Sequence, residues 1–201
     1  MPLRVPSWIS QYRVNQLIDL LSKRLAPFEN ARILDVGCGH ARITARLQQI
    51  FPGHSYAGVD VVVREGSSIE VVGYDGRTLP FPDKSIDVIM LIDVVHHAES
   101  PADLLKECSR VARELVLVKD HLCNSFYDWS RLAWMDWFGN RPFNIPMTYE
   151  YFSRSQWEEA FAYAGLDCRI FDTRIRTCPP PSDLFLDRGV QMVAELVPKH
   201  S

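Results

Sequence analysis

The chain has 201 residues, 47% of them hydrophobic and 23% charged, with a net charge of −3 at neutral pH. That is enough chain for one domain with a sizeable core, and the charge balance excludes the global basic field that grips nucleic acid. No apolar run approaches the roughly 18 residues a membrane span needs, and the N-terminal MPLRVPSWIS lacks the apolar core of a signal peptide.

Residues 8–26 repeat Val14, Leu17, Ile18, Leu21 and Leu25 at helical spacing up to Pro27. They predict an N-terminal helical cap, residues 1–28, on a single domain covering 1–201. Arg32 to Val36 is the first strand. Gly37-Cys38-Gly39 breaks it, and a helix over about 40–51 follows with Ile43, Leu47, Ile50 and Phe51 on one face. Tyr56 to Val59 is a second strand, closed by Asp60. Only Val61 to Ser68 separate it from a third, Ile69 to Val72. A parallel crossover normally takes a dozen or more residues, so the second helix is expected to be shortened to a turn.

Asp75-Gly76 is a turn signal, and 77–85 a loop. Ile86 to Ile92 is a near-continuous apolar strand, as expected where both sheet faces are covered. Ser100-Pro101-Ala102-Asp103 is a helix start with serine at the N-cap, proline at N1 and an acid in the first turn. Leu104, Leu105, Cys108 and Val111 form that helix's buried face. Glu114 to Lys119 is a fifth strand, followed by Asp120 and His121. Ten of the 22 aromatic residues fall between Phe126 and Phe152. That segment predicts a helix over 125–138, broken by Gly139-Asn140 and Pro142. Ser153-Arg154-Ser155-Gln156 is a capping box opening a helix that buries Trp157, Ala160, Phe161 and Ala164. Gly165 stops it. Cys168 to Arg176 and Val190 to Val197 predict an antiparallel pair at a sheet edge.

Alternating strands and helices closed by a strand pair predict an α/β sandwich with a mostly parallel sheet. Ligands of such sheets sit beyond the carboxyl ends of the strands. This singles out Gly37 to His40, Asp60, Asp75, Asp93 to His97, and Asp120 to His121. The glycine turn is a poor dinucleotide site, since G-x-G-x-x-G would need glycine where Arg42 stands. Asp35, two residues before the turn, instead suits a cationic or amine-bearing ligand.

Asp35-x-Gly37-x-Gly39 after an apolar strand, with Asp60 closing the next, resembles motif I of the class I S-adenosylmethionine-dependent methyltransferases. LPFPDKSIDVI around the fourth strand and Val94-Val95-His96-His97 after it are most similar to the small-molecule branch with the ubiquinone/menaquinone-type (methyltransferase type 11) enzymes. The resemblance covers 30–120 well and the remainder by topology. It implies a Rossmann-like methyltransferase sandwich with a seven-stranded, mostly parallel sheet, a C-terminal antiparallel strand pair, and S-adenosyl-L-methionine as cofactor. By the same resemblance Gly37, Cys38 and Gly39 lie along its methionine part. Asp60, with Val61 beside it, takes the ribose hydroxyls; Asp75 and Gly76 meet the adenine; Asp93 and Val94 border the methionine. Two departures stand out: Ala41 replaces the family's third glycine, and 61–68 is short. An exposed Asp60 paired with Arg64 is the competing reading of that acid.

His97 and His121 are candidate catalytic bases for a hydroxyl acceptor, with His96 behind them; a purely pocket-shaping role for the histidine pair stays open. Cys38, His97, His121 and Cys123 match no zinc spacing, and no metal site is expected. The aromatic stretch 122–152 is read as a lid, with Trp134, Tyr149 and Tyr151 facing the acceptor and Arg131 and Arg141 available to an acidic group on it. Plain core packing is the alternative. The expected reaction is in-line methyl transfer to a small, apolar or aromatic acceptor, with no nucleic-acid partner and no membrane span. Peripheral membrane contact through the tryptophans is allowed for a lipid or quinone acceptor. A non-catalytic, cofactor-binding or regulatory protein of the same fold is the alternative, and an RNA or protein methyltransferase a weaker one, disfavoured by the charge and by the lack of an NPPY-type motif. Five scattered cysteines (Cys38, Cys108, Cys123, Cys168, Cys178) without a CxxC predict reduced thiols and a cytoplasmic location.

Overall fold

The computed structural model describes residues 7–140 and 149–199. Five parallel strands carry the centre: β1 (Arg32–Val36), β2 (Ser55–Asp60), β3 (Val71–Gly73), β4 (Ile86–Ile92) and β5 (Ala112–His121). Two more, β6 (Leu166–Asp172) and β7 (Gln191–Pro198), complete a seven-stranded sheet in the order β3-β2-β1-β4-β5-β7-β6. β7 runs antiparallel to both β5 and β6. This is the Rossmann-like methyltransferase sandwich that the resemblance implies, with its C-terminal antiparallel pair.

Side chains alternate across the strands, so the core divides into two layers. Leu34, Val36, Ile89, Leu91, Val116 and Val118 pack against α3 (Pro101–Val111) and α5 (Arg154–Tyr163). Ile33, Val88, Met90, Leu115 and Leu117 pack on the other face against α1 (Ser7–Leu25) and α2 (Arg42–Ile50). Both faces of β4 are therefore buried, which is why it reads as an unbroken apolar run. A smaller cluster of Leu132, Tyr151 and Val190 lies under α4 (Phe126–Asn140). The short α6 (Asp183–Leu186) follows the proline-rich segment. Among the described residues no helix is long and apolar enough to cross a membrane.

β1 and β4 fall where the sequence sets them. β3 is shorter than expected and pairs parallel with β2 through Gly58–Val71 to Asp60–Gly73. No helix forms between β2 and β3; residues 61–70 are turns and bends, and Val61, Val62 and Val63 are exposed. α4 runs on through the expected break at Gly139, to Asn140. Arg141 and Pro142 lie outside the described residues. Ser100 occupies the N-cap of α3 but makes no capping bond to the backbone. Its hydroxyl instead donates to the Asp103 carboxylate at 2.6 Å.

The α5 capping box forms in full: the Ser153 hydroxyl accepts from Gln156 N–H, and the Gln156 side chain accepts from Ser153 N–H at 2.8 Å. Ser153→Ala is expected to cost about 1 kcal/mol in urea unfolding. An unchanged midpoint would show that the packing of Trp157 and Phe161 alone fixes this helix.

Candidate active site

The turn after β1 is tied to the end of β2. Gly37 and Cys38 donate to the Val59 carbonyl at 2.8 and 3.3 Å, and Gly39 N–H donates to Asp60 Oδ2 at 2.8 Å. Gly37 has a φ of +71°, and a Cβ there would lie 2.6 Å from Val94. The β1 turn and the end of β4 thus touch only because residue 37 has no side chain. Gly58 makes a similar allowance on β2, where a Cβ would lie 2.6 Å from Cys38 Sγ. Ala41, at the family's third glycine position, takes a left-handed φ of +53° at the α2 N-cap and is buried. A left-handed conformation costs an L-residue about 1–2 kcal/mol.

Two carboxylates flank this turn. Asp35 is buried and accepts from the Thr44 hydroxyl. Burial pushes its carboxyl up to about 7, the Thr44 bond opposing this and Asp60 adding to it. Asp60 accepts from Val62 N–H at 2.9 Å as well as from Gly39, and the Arg64 guanidinium lies 3.6 Å away. The Arg64 pairing is therefore present, while a carboxylate's roughly four lone-pair sites leave room for a ligand. Cys38 is a neutral thiol: burial first, then Asp35 and Asp60, raise it to about 12. Asp75 is exposed and accepts from Arg77 and Thr78 N–H at 2.8 and 2.7 Å, an Asx-turn that presents Gly76 to Val61, where a Cβ on residue 76 would lie 3.2 Å from Val61 Cγ1.

On the other side, Asp93 leaves β4 with a φ of +54°. Its carboxylate is held by Lys119 at 2.5 Å and by Arg13 of α1. Burial works to raise this acid, but the two cations outweigh it and keep it well below the usual carboxylate range. Lys119 is 1% exposed and also donates to Gln191 at 2.7 Å. Next along the chain, Val95–His97 form a single 3-10 turn. Asp120 fastens that turn to β5. It accepts from Val95 N–H at 3.0 Å, bonds His96 Nδ1 at 2.6 Å, and takes His121 N–H at 2.7 Å.

The histidines form one cluster. The His96 ring lies 3.9 Å from His97 and 4.9 Å from His121, centroid to centroid, and Tyr151 closes on both His96 and His121 at 6.2 and 6.0 Å. The Tyr151 hydroxyl donates to Asp136 Oδ2 at 2.5 Å. Burial, followed by the influence of His96, lowers His97; burial, then His96 and Lys119, takes His121 down to about 3. Both are neutral at pH 7. On His96 burial is outweighed by Asp120, and its affinity for a proton is raised.

Of the expected acceptor residues, Tyr151 joins the histidines. The backbone of Tyr149 is anchored by a bond from Trp129 Nε1 at 3.1 Å. Trp134 lines a different feature, a groove of about 300 Å³ with Tyr127, Ser130, Arg131 and Phe185. Arg131 commits both terminal nitrogens, to the carbonyls of Phe185 and Arg188 and to Asp128. The sequence alone does not disclose Arg13, Thr44, Lys119 or Asp136 as parts of the site. One signal points to Lys119: a lysine closing an apolar run in a two-sided strand needs an anionic partner.

With this geometry in view, residues 9–169 match the family described as a methyltransferase domain. The chain belongs to that family, and its fold and motifs are those of the class I S-adenosylmethionine-dependent methyltransferases. A fatty-acid O-methyltransferase of Mycolicibacterium smegmatis is 33% identical over 97 residues, covering 44% of this chain and 35% of the relative. A human protein named "Probable tRNA methyltransferase 9B" is 31% identical over 85 residues, covering 42% and 19%. The chain thus spans about a third or less of these curated relatives' length. Among solved structures, the Burkholderia thailandensis 1,6-didemethyltoxoflavin-N1-methyltransferase, with bound 1,6-didemethyltoxoflavin and S-adenosylhomocysteine, superposes with a TM-score of 0.66 at 14% identity, covering 96% of this chain and 81% of that one.

The titration of Asp35 has a consequence for stability. Its folded-state value near 7 exceeds the ordinary 3.8, so the folded protein holds the proton more tightly. The contribution is fully present below about pH 4 and is lost as pH rises through about 7, with a slope of at most about 1.4 kcal/mol per pH unit. Asp35→Asn keeps an acceptor for Thr44 and is expected to remove this fall. Urea unfolding of both proteins between pH 4 and 8 checks it; parallel curves would exclude a raised Asp35.

Proposed function

We propose that this chain transfers a methyl group from S-adenosyl-L-methionine to a small, apolar or aromatic acceptor held against the histidine cluster. The observation that carries the reading is the junction of three strand ends. Gly39 is bonded to Asp60 and Gly37 is pressed on Val94, with Asp35 buried behind the turn. The donor set fits the cofactor's chemistry: Asp60 offers acceptor oxygens to a diol, and Asp35 a carboxyl to an ammonium group. Gly37, Cys38, Gly39 and Val94 would line its methionine part, Asp93 would add negative charge nearby, and Asp75, Gly76 and Val61 would border the adenine.

The cofactor supplies an electrophilic methyl on a sulfonium. The protein's part is alignment and exclusion of water, terms that can be worth about 7–11 kcal/mol of barrier. Tyr151 packs on His96 and His121, and Phe152 and Trp157 line a small cavity beside His96. His97, half-buried and with its proton affinity lowered by burial and by His96, is the base we assign to a hydroxyl acceptor; His121, more deeply buried, is second. In this reading α4 and Tyr149 form the lid, with Trp134 at its outer groove. The fatty-acid relative supports an apolar acceptor. The tRNA relative matches over a fifth of its length, and a net charge of −3 offers no general attraction for RNA. Five free cysteines support a reducing, cytoplasmic setting.

Two observations favour a second reading, a fold-retaining protein without transferase activity: Arg64 lies 3.6 Å from Asp60, and the 61–70 connection has no helix. Calorimetry with S-adenosylmethionine and S-adenosylhomocysteine separates the two. We expect binding by the wild type, a loss of about 10–100-fold in Asp60→Asn, and no loss in Arg64→Ala. No binding at millimolar cofactor would sink the enzyme reading, and equal losses in both variants would reduce Asp60 to an ion-pair partner.

A further inference from the structure

We infer that His96, His121 and Asp136 bind a single divalent transition-metal ion such as zinc. All three are buried, and one ligand atom from each lies within 4.8 Å of the others. Tetrahedral zinc with bonds of about 2.0–2.1 Å places its ligands roughly 3.3 Å apart, so closing the site takes side-chain rotation and no refolding. Two imidazoles and a carboxylate suit a borderline-soft ion, and they leave a fourth position for water or an oxygen of another ligand.

What distinguishes this cluster from a packed polar core is its outer shell. Metal-bound histidine is oriented by a hydrogen bond from its other nitrogen to a carboxylate or carbonyl. Here Asp120 bonds His96 Nδ1 at 2.6 Å, which aims Nε2 as the coordinating atom. Asp120 also takes the His121 backbone N–H, so one carboxylate positions both histidines. Tyr151 donates to Asp136 Oδ2 and fixes that carboxylate in turn. His121 supplies an independent sign. Its Nε2 faces Asp93 at 3.9 Å, while Nδ1 is fully buried and makes no hydrogen bond. A buried donor or acceptor left unsatisfied costs about 1–3 kcal/mol, and a metal ion would satisfy it.

His121 belongs to a second triad with Asp93 and Asp120. Those carboxylates are already satisfied, Asp93 by Lys119 and Arg13, Asp120 by hydrogen bonds from the His96 ring and three backbone N–H groups. Among the described residues Asp136 makes one hydrogen bond, from the Tyr151 hydroxyl to Oδ2, which leaves Oδ1 for an ion. The ligands come from the turn after β4, the end of β5 and the middle of α4, elements that no spacing rule in the sequence connects.

The test uses the full chain, stripped with a chelator and without S-adenosylmethionine, so that it is independent of methyl transfer. Titration with Zn²⁺ alone is expected to give one bound ion per chain. His121→Ala and Asp136→Asn each should weaken it by at least 100-fold, and Asp120→Asn by about 10–100-fold. Cys123→Ser and Cys168→Ser should leave it unchanged. Retained binding in His121→Ala and Asp136→Asn, or its loss in the cysteine variants, would overturn the assignment. Because a ligand variant can fail to fold, the wild type loaded with Co²⁺ alone provides the second reading. A tetrahedral or five-coordinate spectrum without a thiolate charge-transfer band supports the site; a thiolate band, or an unchanged aqueous spectrum, refutes it.

Discussion

A buried carboxylate at the end of β5 governs the shape of one half of this site. Asp120 is fully buried, and its bonds come from four donors: two backbone N–H groups of the turn after β4, that of His121, and the His96 ring. Without those bonds the charge would be prohibitively expensive to bury. With them, the carboxyl ends of two neighbouring parallel strands become one rigid platform. The three histidines owe their mutual arrangement to that platform more than to contacts with one another.

The other half is built by the same device in milder form. Asp60 ties the glycine turn to its own strand through Gly39 and to the following turn through Val62. Between the halves stands Asp93, shared by Lys119 from within the sheet and Arg13 from the first helix. Across the sheet's carboxyl edge, Lys119 and Arg13 more than offset Asp93, and the His96 ring hydrogen-bonds Asp120. Asp35 is the buried acid there with no cation beside it, and it is the one whose proton is held most tightly relative to an ordinary carboxyl. A carboxyl kept protonated there can release its proton to balance a cationic ligand.

The strand–turn–helix around Gly37 was legible because hydrophobic period and glycine chemistry are local. So was the missing helix after β2, which follows from counting residues between two strands. Boundaries were not: β3 shortens and β5 lengthens because pairing with neighbours, not propensity, sets strand ends. Position 100 holds the residue type a cap needs, but its hydroxyl donates to the Asp103 side chain and its oxygen accepts no backbone N–H of the first turn. The ion pairs were invisible for a different reason. Arg13 and Asp93 are 80 positions apart, and nothing in either neighbourhood announces the other. Asp136 hides in an aromatic helix where one acid reads as a solvated face; only the folded chain turns it toward Tyr151.

The spare connection between β2 and β3 also bears on how the molecule meets its own copies. An outermost strand presents a row of unpaired backbone groups that another chain can extend into a continuous sheet. Here that strand, β3, is three residues long. The loss of a covering helix, which bares Val61 to Val63, is therefore accompanied by an edge too brief to template much pairing. Shortness at this margin protects against aggregation where a longer strand would have needed charge, proline or a bulge.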